Sequence, residues 1–113
     1  MRIVEKENNK IAILSLVGDP LGEQDATQLR QKINNVLQDR IKHVILDLTD
    51  VKHINSAGLG GLIASMFSML KADGGLTFAC PGKNVKEVFK ITNLDRVFTT
   101  YETIEEALKN HNF

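Results

Sequence analysis

Residues 43–61 read HVILDLTDVKHINSAGLGG: an apolar run, a polar loop and a segment of small residues. The run His43–Leu48 is typical of a central strand that is buried on both faces. From Gly58 to about Asp73, apolar residues recur every three or four positions, which is typical of a helix. The stretch therefore predicts a strand that leads through a loop into a helix, and open α/β sheets bind ligands and partners at such loops.

The predicted helix has one apolar stripe, formed by Leu59, Leu62, Ile63, Met66 and Leu70. Because Met66 lies on this stripe, we expect it to pack in the core. Phe67 and Met69 lie off the centre of the stripe and are better candidates for exposure. We expect Gly74-Gly75 to end the helix by supplying a left-handed cap.

The residues before this stretch predict a hairpin and a helix. Ile3-Val4 and Ile11–Val17 flank the turn formers Asn8-Asn9-Lys10 and are expected to pair. Gly18-Asp19-Pro20 then stops the second strand, since proline cannot donate to a ladder. Over Glu23–Gln38, apolar residues occupy one face of a helix, and glutamine and asparagine occupy the other.

The residues after the stretch predict a further strand and a further helix. Leu76–Cys80 is a short apolar run that follows the glycines and precedes a Pro-Gly turn. Asn84 with Glu87 fits a capping box, which predicts a helix that continues to about Ile91.

A second capping signature, Thr103 with Glu106, predicts a last helix over Ile104–Lys109. Val97-Phe98 is expected to form a short edge strand before it. The element order β-β-α-β-α-β-α-(β)-α predicts a single α/β domain over residues 1–113. Its mixed, mostly parallel sheet has four to five strands and about four helices and starts with a β-hairpin. The sequence leaves open whether the helices cover one face of the sheet or both.

Composition excludes several classes of function. The chain has 113 residues, 42% hydrophobic and 25% charged, which is enough for one modest core. Lys plus Arg and Asp plus Glu number 14 each, so the formal net charge is zero. This argues against nucleic-acid binding and leaves no polybasic patch for an anionic membrane. Without a long apolar leader or a membrane-length apolar run, we expect a cytoplasmic protein with no direct membrane insertion.

Residue types that support catalysis or metal binding are scarce. The one cysteine, Cys80, is too few for a disulfide or a zinc site, and we expect it to pack as a small core residue. The three histidines show no ligand spacing. No acid–base pair, nucleophile–base pair or phosphate cradle is visible, so we expect no catalytic residue, no metal and no cofactor.

Ser56 lies where the loop enters the helix, and it admits two interpretations. Either Ser56 or Asn55 is the N-cap of the helix, since both residue types are preferred there. Alternatively, Ser56 is a phosphorylation site, because the free N–H groups and the dipole at a helix N-terminus favour negative charge. The glycines that follow, Gly58 and Gly60 among them, allow either close helix–sheet packing or the backbone approach of a partner.

The segment Ile54-Asn55-Ser56-Ala57-Gly58-Leu59-Gly60 resembles the signature of STAS domains, specifically of bacterial anti-sigma factor antagonists. In that family, an apolar strand and a short Asp-rich loop precede Asp-Ser-(Ser/Thr)-Gly-Leu-Gly at the start of a helix. The resemblance extends along the chain to the two initial strands, Leu16-Val17-Gly18, a polar helix with Leu29, and Phe89 followed by Leu94.

The resemblance implies a STAS fold and a regulatory protein, not an enzyme, that controls transcription by partner switching. Such a protein binds an anti-sigma factor serine kinase of the histidine-kinase-like ATPase type and thereby frees the sigma factor. The kinase phosphorylates the first serine of the loop, here Ser56, and the complex dissociates. A metal-dependent serine phosphatase restores the unmodified form. The implied partner-binding residues are Asn55, Ser56, Ala57, Gly58, Leu59 and Gly60.

Several positions depart from the family pattern. Asn55 stands where the family usually has Asp, so a carboxylate that could orient the hydroxyl or bind the kinase is absent. Ala57 replaces the second Ser or Thr and leaves Ser56 as the one acceptor in the motif. The loop after the second strand is about one residue longer than in the family, and Asp19 and Asp25 are the two candidates for its functional Asp.

Two other functions remain open. A STAS domain can be a fixed docking subunit of a stress-signalling scaffold or of a lipid-transport ATPase, where the same loop binds a partner without phosphate. The missing Asp favours this alternative. The third possibility is a small-molecule binder or enzyme built on the same sheet, for which bound nucleotide that survives purification would be evidence.

Overall fold

The sheet begins with a hairpin, as the sequence predicts. In the computed structural model, which describes residues 2–18 and 21–110, strands β1 (Arg2–Asn8) and β2 (Ile11–Val17) pair antiparallel. Asn9 and Lys10 form a two-residue turn in which φ is 51° and 67°, respectively. Positive φ at both positions gives the turn the twist of the flanking strands, which fixes the register of the pair.

Three further strands extend the sheet in the order β1-β2-β3-β4-β5, and β2 to β5 are parallel. These strands are β3 (His43–Asp50), β4 (Gly75–Ala79) and β5 (Thr100–Tyr101). The helices are α1 (Glu23–Gln38), α2 (Ser56–Lys71), α3 (Lys83–Ile91) and α4 (Ile104–Asn110). The predicted α/β class, mixed sheet and initial hairpin are confirmed. None of the described helices combines the length and the apolar character needed to span a bilayer.

Helices cover both faces of the sheet, which settles what the sequence left open. On one face, strand residues such as Leu14 and Phe78 join buried residues of α1, α2 and α3 in the main core cluster. On the other face, Ile13 and Ile45 pack with α4 in a second cluster. Cys80 is half-buried against this second cluster, close to its expected role. β3 is buried on both faces, as predicted, because it lies between the two layers.

The end of α2 differs from the prediction. Asp73 takes the left-handed conformation, with φ of 60°, and none of the described glycines has positive φ. The N–H of Gly74 donates to the Met69 carbonyl at 2.8 Å, and the N–H of Asp73 to the Leu70 carbonyl at 3.1 Å. This is the Schellman pattern, with Asp73 in the usual place of glycine. Gly74 serves another purpose, because a Cβ there would lie 2.2 Å from the carbonyl oxygen of Lys42.

The last two helices start in different ways. For α4 the predicted cap is confirmed, because the N–H of Glu106 donates to Oγ1 of Thr103 at 3.1 Å. For α3 the predicted capping box is wrong. The helix begins at Lys83 with Gly82 as N-cap and no side-chain cap bond, so Asn84 is already inside the first turn.

The predicted edge strand at Val97-Phe98 is wrong, because β5 begins three residues after Val97, at Thr100. A short 3₁₀ helix over Leu94–Arg96 precedes Val97. The ring of Phe98 is only 3% exposed and lies 4.5 Å from that of Phe78 and 5.1 Å from that of Phe89, centroid to centroid. The chain must turn this ring into the core before it can reach the edge of β4, so the strand starts late.

The buried face of α2 is displaced from the predicted stripe. Met66 is in the core and Phe67 is 54% exposed, both as predicted. Met69, expected to be exposed, is fully buried, and Leu70, expected on the buried stripe, is 51% exposed. The reason is that small residues such as Ser65 belong to the buried face, and a pattern of large apolar side chains does not count them.

We expect Phe98→Ala to lower the free energy of unfolding by about 3–5 kcal/mol, because it empties one position of a three-ring cluster. Its neighbour Val97, 56% exposed, provides the matched control, and Val97→Ala should cost less than about 0.5 kcal/mol. Urea unfolding of the two variants measures both values. Equal losses would contradict the inward orientation of Phe98.

Candidate functional site

The site is the loop between β3 and α2, held against the segment that precedes α1. Leu21 and Ile54 form an isolated parallel bridge. The N–H of Leu21 donates to the carbonyl of His53 at 2.9 Å, and the N–H of Asn55 donates to the carbonyl of Leu21 at 3.1 Å. These bonds join the starts of α1 and α2 at the carboxyl edge of the sheet, where open α/β sheets bind their ligands.

Asn55 is the N-cap of α2. Its Oδ1 accepts a hydrogen bond from the N–H of Gly58 at 2.9 Å, and its carbonyl accepts one from Leu59 at the same distance. Of the two caps that the sequence allowed, the structure therefore selects Asn55. Asn and Asp are equally good caps. The departure from the family pattern at this position thus keeps the capping bond and removes a negative charge.

Ser56 is the first residue of α2, and its side chain is exposed. Within the described residues its hydroxyl makes no hydrogen bond, because Asn55 performs the capping. The first turn of α2 contains no acidic residue. The free N–H groups and the positive end of the helix dipole are therefore not neutralised by a carboxylate of the helix itself, and a negative group on Ser56 is favoured there.

The glycines of α2 have two different roles. A Cβ at Gly58 would lie 2.1 Å from the Leu21 carbonyl oxygen, and one at Gly61 would lie 2.5 Å from the Cβ of Ala26. These two glycines allow α2 to pack closely against the start of α1. A Cβ at Gly60 would have no atom within 4 Å, so this glycine is exposed to solvent. Gly60 follows Ser56 by four residues and therefore lies on the same helix face.

The residues predicted to bind a partner divide by exposure. Four of them are exposed and form what we call the Ser56 surface: Asn55, Ser56, Ala57 and Gly60. Gly58 is buried, and Leu59 is partly buried against the main core. The Ser56 surface thus carries no side chain larger than that of asparagine, which leaves the serine hydroxyl unobstructed.

Of the two candidates for the family's functional Asp, the structure describes one. Asp19 and the neighbouring Pro20 lie outside the described residues. Asp25 is part-buried in the first turn of α1, where its Oδ2 accepts a hydrogen bond from the N–H of Gly22 at 2.8 Å. Gly22 faces the Asn55 side chain, since a Cβ on Gly22 would lie 3.1 Å from Asn55 Nδ2. Asp25 therefore supports the turn that packs beside the cap of α2.

A polar cluster that the sequence did not reveal lies at the end of β3. Asp47 is only 9% exposed. Its carboxylate accepts bonds from Ser15 Oγ at 2.8 Å, from the N–H of Thr49 at 3.1 Å and from Thr49 Oγ1 at 2.6 Å. The pairing of β2 with β3 becomes irregular after Ser15, so the cluster fixes the strand ends where the ladder breaks. Across the described residues, no group of three or more acidic, histidine or cysteine side chains could hold a metal.

The sequence from residue 2 to residue 107 matches the STAS domain. The chain belongs to the STAS domain family. A Thermotoga neapolitana protein with the provisional name of anti-sigma factor antagonist is 38% identical over 66 residues, 58% of each chain. A Thermotoga maritima protein with a similar provisional name is 35% identical over 66 residues, again 58% of each chain. These alignments span less than two thirds of either relative.

The similarity in structure covers more of the chain than the sequence alignments do. A Thermotoga maritima crystal structure, also provisionally described as an anti-sigma factor antagonist, has a TM-score of 0.85 and 27% sequence identity. The superposition covers 95% of this chain and 92% of that chain. The STAS fold that the loop motif implied is thus confirmed over nearly the whole chain.

We expect Asn55→Ala to lower the free energy of unfolding by about 1 kcal/mol, because the N–H of Gly58 loses its acceptor. Ser56→Ala should change the same quantity by less than about 0.5 kcal/mol, since the hydroxyl bonds to no described residue. Urea unfolding of the two variants tests this assignment of the cap. A larger loss in Ser56→Ala would assign the cap to the serine instead.

A second pair of variants tests the two different roles of Gly58 and Gly60 in α2. Gly58→Ala should destabilise the fold by about 1–3 kcal/mol, because the new methyl group meets the Leu21 carbonyl. Gly60→Ala should stabilise it by about 0.5–1 kcal/mol, because alanine restricts the unfolded chain and has open space in the helix. Thermal and urea unfolding give the signs, and opposite signs are the expected result.

Proposed function

We propose that the protein is an anti-sigma factor antagonist that binds an anti-sigma factor serine kinase through the Ser56 surface and so releases the sigma factor. The observation that carries the proposal is the state of Ser56. Its hydroxyl is exposed and bonds to no described residue, at the start of a helix that Asn55 already caps. The provisional names of the relatives support the same class of function.

In this proposal the kinase is of the histidine-kinase-like ATPase type and phosphorylates Ser56. A phosphate adds about −1.5 to −2 charges and three acceptor oxygens. In the free domain these charges lie at the positive end of α2, whose first turn has no acidic residue. In the complex these charges would be buried against the partner, which costs free energy because they lose their contact with water. Each 1.4 kcal/mol of this desolvation cost weakens binding about tenfold.

The switch therefore acts on the interface and not on the fold. The small residues Ala57 and Gly60 beside Ser56 allow a kinase active site to reach the hydroxyl. Asn55 would contact the partner through the exposed part of its amide. Gly58 and Leu59, in the first turn of α2, act by holding the shape of the binding surface. A metal-dependent serine phosphatase would remove the phosphate and restore binding.

The role proposed for the protein is regulatory. It has no catalytic residue, metal or cofactor of its own, binds no nucleic acid, and acts in the cytoplasm together with the sigma factor that it controls. The neutral formal charge of the chain fits a protein that regulates transcription through another protein and not through DNA.

A second candidate function is a docking subunit that is never phosphorylated, in a stress-signalling scaffold or a lipid-transport ATPase. The observation that favours it is Asn55, whose side chain caps α2 but offers no carboxylate to orient Ser56 or to contact a kinase. In that case the Ser56 surface would bind its partner in one state only. Phosphopeptide mapping of the protein from its native cells across growth and stress conditions separates the two candidates.

We expect Ser56→Asp to weaken binding to the anti-sigma factor kinase at least about tenfold, whereas Ser56→Ala should bind like the native protein and resist ATP-dependent dissociation. Isothermal titration with each form, with and without Mg-ATP, measures this. Equal affinity of all three forms would rule out the switch.

Two controls make the result specific to the site. Ser56→Asp should unfold at the same urea concentration as the native protein or a higher one, because an acidic residue in the first helical turn is stabilising. In a phosphorylation assay, Ser56→Ala should lose the label and Ser68→Ala, on the same helix, should keep it. Retention of the label in Ser56→Ala would place the acceptor elsewhere.

A further inference from the structure

Within residues 2–18 and 21–110, one edge of the sheet is bare at the end opposite to the Ser56 surface. β5 pairs with β4 only at Phe78 and Ala79. On this side, the N–H of Phe78 donates to the carbonyl of Thr99, and the N–H of Cys80 donates to that of Tyr101, both at 2.9 Å. Main-chain groups of alternate residues point to the same edge of a strand. Leu76 therefore directs its N–H and C=O to this side, where the described residues place no strand opposite it.

A cavity of about 370 Å³ lies at this bare edge. On one side it is lined by apolar side chains that include Leu70 and Val97, which are 51% and 56% exposed. Its polar lining side chains are His43, Thr77, Thr99, Tyr101 and Asn110. The volume falls in the range of about 300–1,000 Å³ that is typical of small-molecule sites. A combination of apolar side chains with a few polar groups is also typical of such sites.

The lining residues restrict the chemistry of a ligand. None of them is Lys, Arg, Asp or Glu, so the lining fits a neutral ligand better than one with a formal charge. The adjacent N–H and C=O of Leu76 match the donor and acceptor of a secondary amide. The exposed Leu70 and Val97 side chains match a branched apolar group, which would remove them from water.

We propose that this cavity binds a small neutral molecule that carries a secondary amide beside a branched apolar group. The site is separate from the Ser56 surface, because Leu70 lies about 21 Å further along α2 than Ser56 at 1.5 Å rise per residue. The proposal therefore does not depend on the proposed function. It depends on the bare Leu76 edge and on the uncharged lining of the cavity.

The test is a titration of ¹⁵N-labelled protein with N-acetyl-leucine N-methylamide, followed by two-dimensional NMR. The amide signals of Leu76, Thr77 and Tyr101 should shift and saturate with a Kd of about 1 mM, as expected for a ligand of this size. Signals of residues 55–60 should not move. N-acetyl-leucine, with a free carboxylate, and N-acetyl-glycine N-methylamide, without the branched group, should each bind at least about fivefold more weakly.

Two matched variants locate the binding. Leu70→Asp should weaken binding of the amide at least about tenfold, because it puts a charge into the apolar wall. Phe67→Asp changes a residue of the same helix with similar exposure, 54%, that does not line the cavity, and it should bind like the native protein. Val97→Asp, in a different segment of the chain that lines the same cavity, repeats the test should Leu70→Asp fail to fold.

Three results would overturn the proposal. The first is the absence of saturable shifts at the cavity residues. The second is equal binding by Leu70→Asp or Val97→Asp and Phe67→Asp, which would place the ligand elsewhere. The third is equal or tighter binding of the free carboxylate, which would contradict the neutral class of ligand.

Discussion

The close approach of the Leu21 carbonyl to the α carbon of Gly58 is the contact on which the position of the Ser56 surface depends. That carbonyl accepts a hydrogen bond from Asn55 at 3.1 Å, and a Cβ at residue 58 would lie 2.1 Å from it. There is therefore no room for a side chain between the segment that contains Leu21 and the first turn of α2. The starts of α1 and α2 are therefore drawn together, and Gly61 completes the contact further along α2 by admitting Ala26. A helix without these glycines would stand away from the start of α1 and carry the loop with it.

This packing lets two neighbouring residues divide two tasks. Asn55 caps α2, so that the hydroxyl of Ser56 is exposed and bonds to no described residue. The phosphorylation that we propose for Ser56 would then change partner binding without a cost to the fold, since a helix N-terminus accepts negative charge. This chain has Asn55 where the family usually has Asp, which preserves the cap of α2 and makes the Ser56 surface one charge less negative. The consequence of that substitution is therefore expected in partner binding and not in folding.

The opposite end of the sheet is shaped by aromatic packing. Phe98 turns into the core against Phe78 and Phe89, and this inward turn delays the edge strand until Thr100. The late start of β5 is the reason that the described residues place no strand beside Leu76 on the side away from β3. The packing of the Phe98 ring thus stabilises the core and also leaves the edge of β4 at Leu76 bare within the described residues, where the cavity lies. The two ends of α2 contact surfaces of different chemistry, one polar and able to accept negative charge, the other largely apolar and without charged side chains.

The sequence by itself determined the order of the elements, the hairpin and the loop motif, because hydrophobic period and turn chemistry act between near neighbours. It also narrowed the N-cap of α2 to two adjacent residues. Only the tertiary structure decided which of these two residues caps α2, and which glycines of α2 pack closely and which one is exposed. It also decided that Met69 is buried while Leu70 is not, and that β5 begins at Thr100. Each of these outcomes depends on atoms that lie far away in the chain, such as the Leu21 carbonyl or the Phe78 ring. A local pattern contains no information about them, since packing in a close-packed interior is decided by what lies opposite in space.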